Sequence, residues 1–191
     1  LPFIPQILQS YLKLFDKCNS TVFPSLMDGL ADIMCLIEKN IRQYLPTLFT
    51  LIKENWNDMT IIPSLKLICE IAKVMHDEFK KYIPQVLSLI LSRMSKYVFE
   101  HDANTYQHII NSIVILAEHI DFVDYLHLVI PSISDLISEK VHISIILPTL
   151  KALYKLLQYV DGQEFISRLI LPLTRLLQNE KRKIYKIKVV S

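Results

Sequence analysis

The sequence predicts an all-α chain, an α-α superhelix (solenoid) of about four and a half antiparallel helix pairs. Three observations carry this expectation. The 191 residues include only two glycines, Gly29 and Gly162, against nine prolines, and 51% of them are apolar. An average chain of this length carries roughly 13 glycines, and primed hairpin turns lean on Gly or Asn-Gly, so a sheet-rich fold is disfavoured. Apolar residues recur at helical spacing along nearly the whole chain. An aromatic–aliphatic pair followed by proline also returns at steps of about 40 residues.

The first pair opens at Phe3-Ile4 with Pro5, turns near Asp16 to Ser20, and enters its second helix at Val22-Phe23-Pro24-Ser25-Leu26. The second opens at Tyr44-Leu45-Pro46, turns at Asn57 to Thr60, and continues through Ile61-Ile62-Pro63-Ser64-Leu65. In these openings proline suits the first helical turn, where its missing N–H costs nothing. Ile61, Leu65, Ile68, Ala72 and Met75 draw one apolar stripe on the second helix. The third pair opens at Tyr82-Ile83-Pro84, with Ile83, Leu87, Ile90 and Met94 on one face. Leu87, Leu89, Ile90 and Leu91 widen that face, so the helix needs neighbours on more than one side. Its turn is expected from Phe99 to Thr105, and its second helix has His108 where proline would fall. The fourth opens at Tyr125-Leu126, with Pro131 far enough inside to kink it. It turns at Glu139 to His142 and continues as Ile146-Leu147-Pro148-Thr149-Leu150, with Leu153, Leu157 and Val160 on the same stripe. A truncated fifth starts at Phe165-Ile166, carries Pro172, and turns near Gln178 to Lys181. Between pairs lie short acidic links, where Asp77, Asp121 and Asp161 are expected to cap the helix that follows. One such pair cannot bury two apolar faces alone; stacking in register buries them between layers. The whole of 1–191 therefore reads as one solenoid segment. A chain starting at Leu1 without methionine reads as a piece of a longer one.

Composition excludes several functions. Two distant glycines build neither a G-x-G-x-x-G loop nor a P-loop, and G-x-S-x-G is absent. No cofactor is expected. Cys18, Cys35 and Cys69 are odd in number and widely spaced, so neither a disulfide framework nor a zinc site follows, and reduced thiols in an intracellular protein are expected. The net charge of +2 is uneven. Lys181, Arg182, Lys183, Lys186 and Lys188 face only Glu180 at the end, leaving a near-neutral body without a basic stripe for nucleic acid. The longest stretch free of Asp, Glu, Lys and Arg, Ala103 to Ala117, is shorter than the ~20 residues of a membrane span and includes Asn104, Gln107, His108 and Asn111.

No catalytic or metal site is expected. His119, Asp121, Asp124 and His127 lie close in sequence but straddle a helix junction, which favours polar link residues over metal ligands. Asp28 with Asp32, and Glu70 with Lys73, have the spacing of a solvent-facing helix stripe rather than of an acid–base pair. Tyr44, Tyr82 and Tyr125 read as rings packed between layers with hydroxyls at the edge. Two features remain as candidate partner contacts. Trp56, the sole tryptophan, is either a binding anchor or an inter-repeat packing residue. Lys181, Arg182 and Lys183 are either an anion-binding tail or a solvated helix face.

The repeat anchors resemble HEAT and armadillo-like repeats, whose first helix opens with a Leu-Pro-like element. The polar ladder usual in HEAT repeats is mostly missing: Asp58 fits the turn position, but Ile61, Ile62 and Phe23 occupy the arginine region. The likeness extends to the target of rapamycin (TOR) kinases of the phosphatidylinositol 3-kinase-related family. Glu78 to Val86, Asp124 to Pro131 with Ile133 and Leu136, and Asn40 to Tyr44 with Glu54-Asn55-Trp56 resemble segments of that family in the same order. Phe3 to Gln6 and Phe165 to Ile170 extend the match, whereas Lys96 to Ala103 and Glu180 to Ser191 depart from it. The resemblance implies a non-catalytic helical array preceding a serine/threonine kinase domain. Such an array acts as a scaffold that supports self-association of the parent chain and docks accessory subunits with helical repeats and a β-propeller. It implies a cytoplasmic setting, with peripheral association to endomembranes through the parent complex. An array of the transport-receptor or phosphatase-scaffold type is the alternative of the same class. An all-α enzyme bundle is the alternative of a different one.

Overall fold

A computed structural model of the chain describes residues 3–100, 102–137, 141–159, 165, 167 and 169–178. Among these residues there are α-helices and 3-10 segments and no strand, and successive helices pack on their neighbours as in an α-α superhelix. The described residues divide into two compact units, Leu1–Leu89 with Glu118–Ile120, and Ile90–Ala117 with Asp121–Ser191.

In the first unit, α1 (Ile4–Phe15) pairs with α2 (Phe23–Ile37), and α3 (Leu45–Glu54) is followed by α4 (Ile61–Met75). Pro5 and Pro46 stand in the first turns of α1 and α3, as their lack of an N–H favours. The second helices of the two pairs, α2 and α4, lie side by side along their lengths. Met27, Leu30, Ala31 and Met34 on α2 and Ile61, Leu65, Ile68, Ala72 and Met75 on α4 are buried. The predicted stripe of α4 is thus the core face, and Leu67 and Ile71 are buried as well, so α4 is covered on more than one side. Each such Leu, Ile or Met side chain contributes about 1.5–3 kcal/mol relative to exposure. Aromatic contacts close the α1–α2 end: Phe15 meets Phe23 edge-on, with ring centroids 5.0 Å apart. Gly29 leaves room for the Tyr11 side chain, whose hydroxyl would meet a Cβ there. That hydroxyl donates to the Leu26 carbonyl at 3.0 Å.

The link at Asp77 differs from the capped turn predicted for it. Glu38–Tyr44 and His76–Tyr82 are seven-residue 3-10 segments, each burying one apolar side chain, Ile41 and Phe79. No side-chain cap bond is made at their N-caps, Ile37 and Met75, and Asp77 stands in the first turn instead. The backbone runs from helix to helix through i→i+3 bonds, so few amides are left for a cap to satisfy. His76, at the end of α4, is the one described non-glycine residue with positive φ, at 48°.

In the second unit, α5 (Ile83–Phe99), which begins in the first, continues from Ile90, and α6 (Ala103–His119) supplies the residues up to Ala117. A 3-10 turn at Val123–Tyr125 leads to α7 (Leu126–Ser134), which packs on α8 (Ile143–Leu156). Residues 169–178 are also helical. The turn expected from Phe99 to Thr105 is shorter. α6 begins at Ala103 because the Asp102 carboxylate accepts from the Thr105 amide at 3.0 Å, an N-cap that sequence reading did not assign. His142 plays the same part for α8, accepting from the Ser144 amide through Nδ1 at 3.3 Å. Pro131 and Pro148 lie inside α7 and α8. Val160, Asp161, Ile166 and the expected last turn beyond Gln178 lie outside the described residues.

Candidate functional site

The predicted contact residues fall in different places. Trp56 follows the C-cap of α3 and is 8% exposed. A dense turn sets it there. Asn55 donates through Nδ2 to the Leu51 carbonyl at 2.9 Å, and the Asn57 side chain accepts from the Met59 amide at 3.0 Å. The Thr60 hydroxyl accepts from the Asn57 amide at 3.2 Å and donates to the Asn55 carbonyl. Lys181, Arg182 and Lys183 lie outside the described residues.

The charged groups weighed as catalytic pairs lie at the surface. Lys66 of α4 reaches back to Asp32 at 2.8 Å and Asp28 at 3.6 Å on α2, all three exposed. The hydrogen bond to Asp32 raises the Lys66 pKa above its ordinary value. Glu70 and Lys73 pair at 2.6 Å along α4. Among the described residues no three His, Cys, Asp or Glu side chains converge on a point where a metal would sit. His119 instead faces His76, with ring centroids 6.4 Å apart. Cys69 is buried on α4, and burial pushes its thiol up to about 12, which leaves almost no thiolate at neutral pH.

Sequence reading missed two contacts between successive repeats. The Arg42 guanidinium grips the Glu78 carboxylate through two nitrogens, Nε and Nη2, joining the first link to the second. This pair raises the Arg42 pKa, through the hydrogen bond first. Aligning the links on Tyr44 and Tyr82 would have brought these residues into view, and the position of Glu78 holds Asp121 one repeat further on. In the second unit, the Tyr106 hydroxyl lies 2.7 Å from Thr149 Oγ1, both buried. Thr149 in turn donates to the Ile145 carbonyl at 2.6 Å, so Tyr106 is the donor between the two hydroxyls. Thr149 occupies the hydroxyl position that follows proline in the repeat pattern.

One concave feature of the first unit is a groove. α3 supplies Pro46, Phe49, Thr50, Lys53 and Glu54, and the chain entering α5 supplies Tyr82 and Gln85. The cavity measures about 540 Å³. Phe49 and Tyr82 stack in its floor, with centroids 4.4 Å apart and planes 15° from parallel. Lys81 Nζ sits 5.0 Å from the centre of the Tyr82 ring. Tyr44, Tyr82 and Tyr125 are all half-buried, and Tyr125 packs against Phe122 at 5.8 Å.

Comparison with known proteins gives these surfaces a setting. The serine/threonine-protein kinase tor1 of Schizosaccharomyces pombe is 30% identical over 178 residues, covering 92% of this chain and 8% of that kinase. The chain is homologous to a segment of the TOR kinases. The serine/threonine-protein kinase TOR of Arabidopsis thaliana is 21% identical over 195 residues, covering 97% of this chain and 8% of its own length. The mTor kinase of Drosophila melanogaster is 26% identical over 183 residues, covering 94% and 7%. The chain thus spans only 7–8% of the length of these curated TOR relatives. No protein-family profile matches it. Among the described residues no helix is long and apolar enough to cross a membrane.

Proposed function

We propose that this chain is a non-catalytic helical-repeat scaffold segment of a TOR-type serine/threonine kinase, serving protein–protein interaction and assembly of the complex. The observation that carries the reading is the collinear match: nearly the whole chain aligns to a small part of several TOR kinases. Two further features support it. The sequence holds no glycine-rich phosphate loop. The paired charges at the surface, Arg42 with Glu78 and Lys66 with Asp28 and Asp32, connect helices of neighbouring repeats. Stacked pairs of this kind hold extended surfaces on which partners dock.

On this reading residues 1–191 are one stretch of a longer array. Its partners are accessory subunits of a TOR complex and a second copy of the parent chain, with no role for nucleic acid. The parent works in the cytoplasm and reaches endomembrane surfaces through its complex. Lys181, Arg182 and Lys183 serve as partner contacts, and Trp56 acts by packing within its own turn rather than by exposure. The test is capture of the assembled complex by the intact kinase, with one exposed helix row substituted at a time. At least one row should lose an accessory subunit or the second copy while activity on a short peptide substrate persists. Unchanged assembly with every row substituted would sink the reading.

A further inference from the structure

Two helices of the second unit begin on side-chain caps of different chemistry. α6 starts on the Asp102 carboxylate and α8 on the His142 imidazole. An imidazole nitrogen accepts a hydrogen bond only while it carries no proton. The Ser144 amide lies 3.3 Å from Nδ1 of His142 and can only donate, so Nδ1 is the bare nitrogen and the ring proton sits on Nε2. The Ser144 hydroxyl, 2.8 Å from the same nitrogen, then donates to it as well. Protonation of the ring reverses this arrangement. Nδ1–H would donate to the Ser144 hydroxyl oxygen, which can rotate to accept. The Ser144 amide cannot change its role, so it loses its acceptor. The cation would also stand at the N-terminus of α8, where unpaired amides already present positive charge.

The turn under this cap is tied to the core. The Ile145 and Ile146 amides bond to the His142 carbonyl at 2.9 and 3.2 Å, and both side chains are buried. The Ile145 carbonyl accepts from the Thr149 hydroxyl, so the same turn ends the buried chain that begins at Tyr106. The His142 residue is exposed, so protons reach the ring from solvent. Few groups stand ready to answer a charge there. α7, which packs on α8, carries His127 and is followed by Asp135. α6 carries His108, and Lys151 lies more than two turns along α8. Among the described residues none of these makes an ion pair with the ring. Glu139 and Lys140, just before it in sequence, lie outside the described residues. We propose that His142 makes the start of α8 proton-sensitive: the neutral imidazole caps the helix, and protonation releases its first turn. The cap is present where the ring is neutral and is lost as pH falls. The Asp102 cap responds differently, because its carboxylate is held below the ordinary range and stays charged in mild acid.

The test is amide hydrogen exchange read by mass spectrometry on the full-length protein, at about pH 7.5 and about pH 5.5, a window in which histidine changes its charge. Protection is corrected for the intrinsic pH dependence of exchange. The amides of Ile143 to Leu147 should lose about five-fold in protection at the lower pH, the effect of losing one N-cap. Those of Ala103 to Gln107, under the Asp102 cap, should keep theirs. His142→Asn supplies a cap that does not titrate, so it should hold the high value at both pH values. His142→Ala supplies none and should hold the low value at both. Both substitutions fall at an exposed residue, so the fold tolerates them. Unchanged protection of the α8 start in the unsubstituted protein overturns the proposal. So does an equal loss in His142→Asn, full protection in His142→Ala at the higher pH, or an equal loss at the start of α6, which would mean a general loosening by acid.

Discussion

The two units tie neighbouring repeats together by different means. The first surrounds an apolar α2–α4 interface with exposed ion pairs, Arg42 with Glu78 and Lys66 with Asp28 and Asp32. The second buries a hydrogen-bonded chain, from the Tyr106 hydroxyl to Thr149 and on to the Ile145 carbonyl. Exposed pairs gain little net energy and weaken with salt. A buried hydroxyl that loses its partner keeps its full desolvation cost. The first unit should therefore be robust to loss of its polar contacts and sensitive to its core, and the second sensitive to both.

Five substitutions and the pH dependence of two groups probe that contrast. Ile68→Ala, at the centre of α4, should destabilise the first unit by about 2–5 kcal/mol, measured by chemical denaturation. A loss under about 1 kcal/mol would mean that α4 is less tightly packed than its burial indicates. Thr149→Val should cost about 1–3 kcal/mol, because it leaves the Tyr106 hydroxyl buried without an acceptor. Tyr106→Phe should cost less, since Thr149 keeps its bond to Ile145. If the two cost the same, the buried chain is not cooperative. Burial pushes the Tyr106 pKa up to about 12. Stability from the neutral hydroxyl is complete below the unfolded value near 10 and is lost as pH rises toward 12. Alkaline unfolding in that window should be blunted in Tyr106→Phe, as followed by far-ultraviolet circular dichroism. Asp102→Ala should remove the α6 cap for about 1 kcal/mol. The bond to Thr105 holds the Asp102 pKa below the ordinary carboxylate range, so the cap persists at neutral pH and is lost as pH falls through that lowered value. Smallest of all, Arg42→Ala should change the melting temperature little, with an effect that shrinks further in high salt. A large, salt-insensitive loss would erase the contrast.

Local periodicity made the fold legible. The stripe Ile61, Leu65, Ile68, Ala72 and Met75 is buried in full, and the prolines after Ile4 and Leu45 open their helices. The pairing between repeats was not legible in the same way. A stripe shows which face of a helix is apolar but not which residue lies opposite one period away. Arg42 with Glu78, and Tyr106 with Thr149, depend on that register. The groove depends on how the chain at Tyr82 and Gln85 meets α3, which no local pattern encodes. Trp56 stood open between two readings because an indole suits both a core and an interface; its burial comes from the hydrogen-bonded turn at Asn55 to Thr60. The link at Asp77 misled the reading because an acidic residue next to a helix favours a cap in general, while this backbone continues as a 3-10 helix and leaves little to cap.

Cys69 gives the fold a means of reporting on itself. Its thiol is 4% exposed and protonated at neutral pH, so a thiol-reactive reagent meets a reactive thiolate there only when α4 leaves its neighbours. The rate at which the Cys69 peptide becomes alkylated then measures how often the first unit opens. Comparing that rate with and without a docked partner would read assembly as slowed breathing of a helix, with no label introduced into the chain.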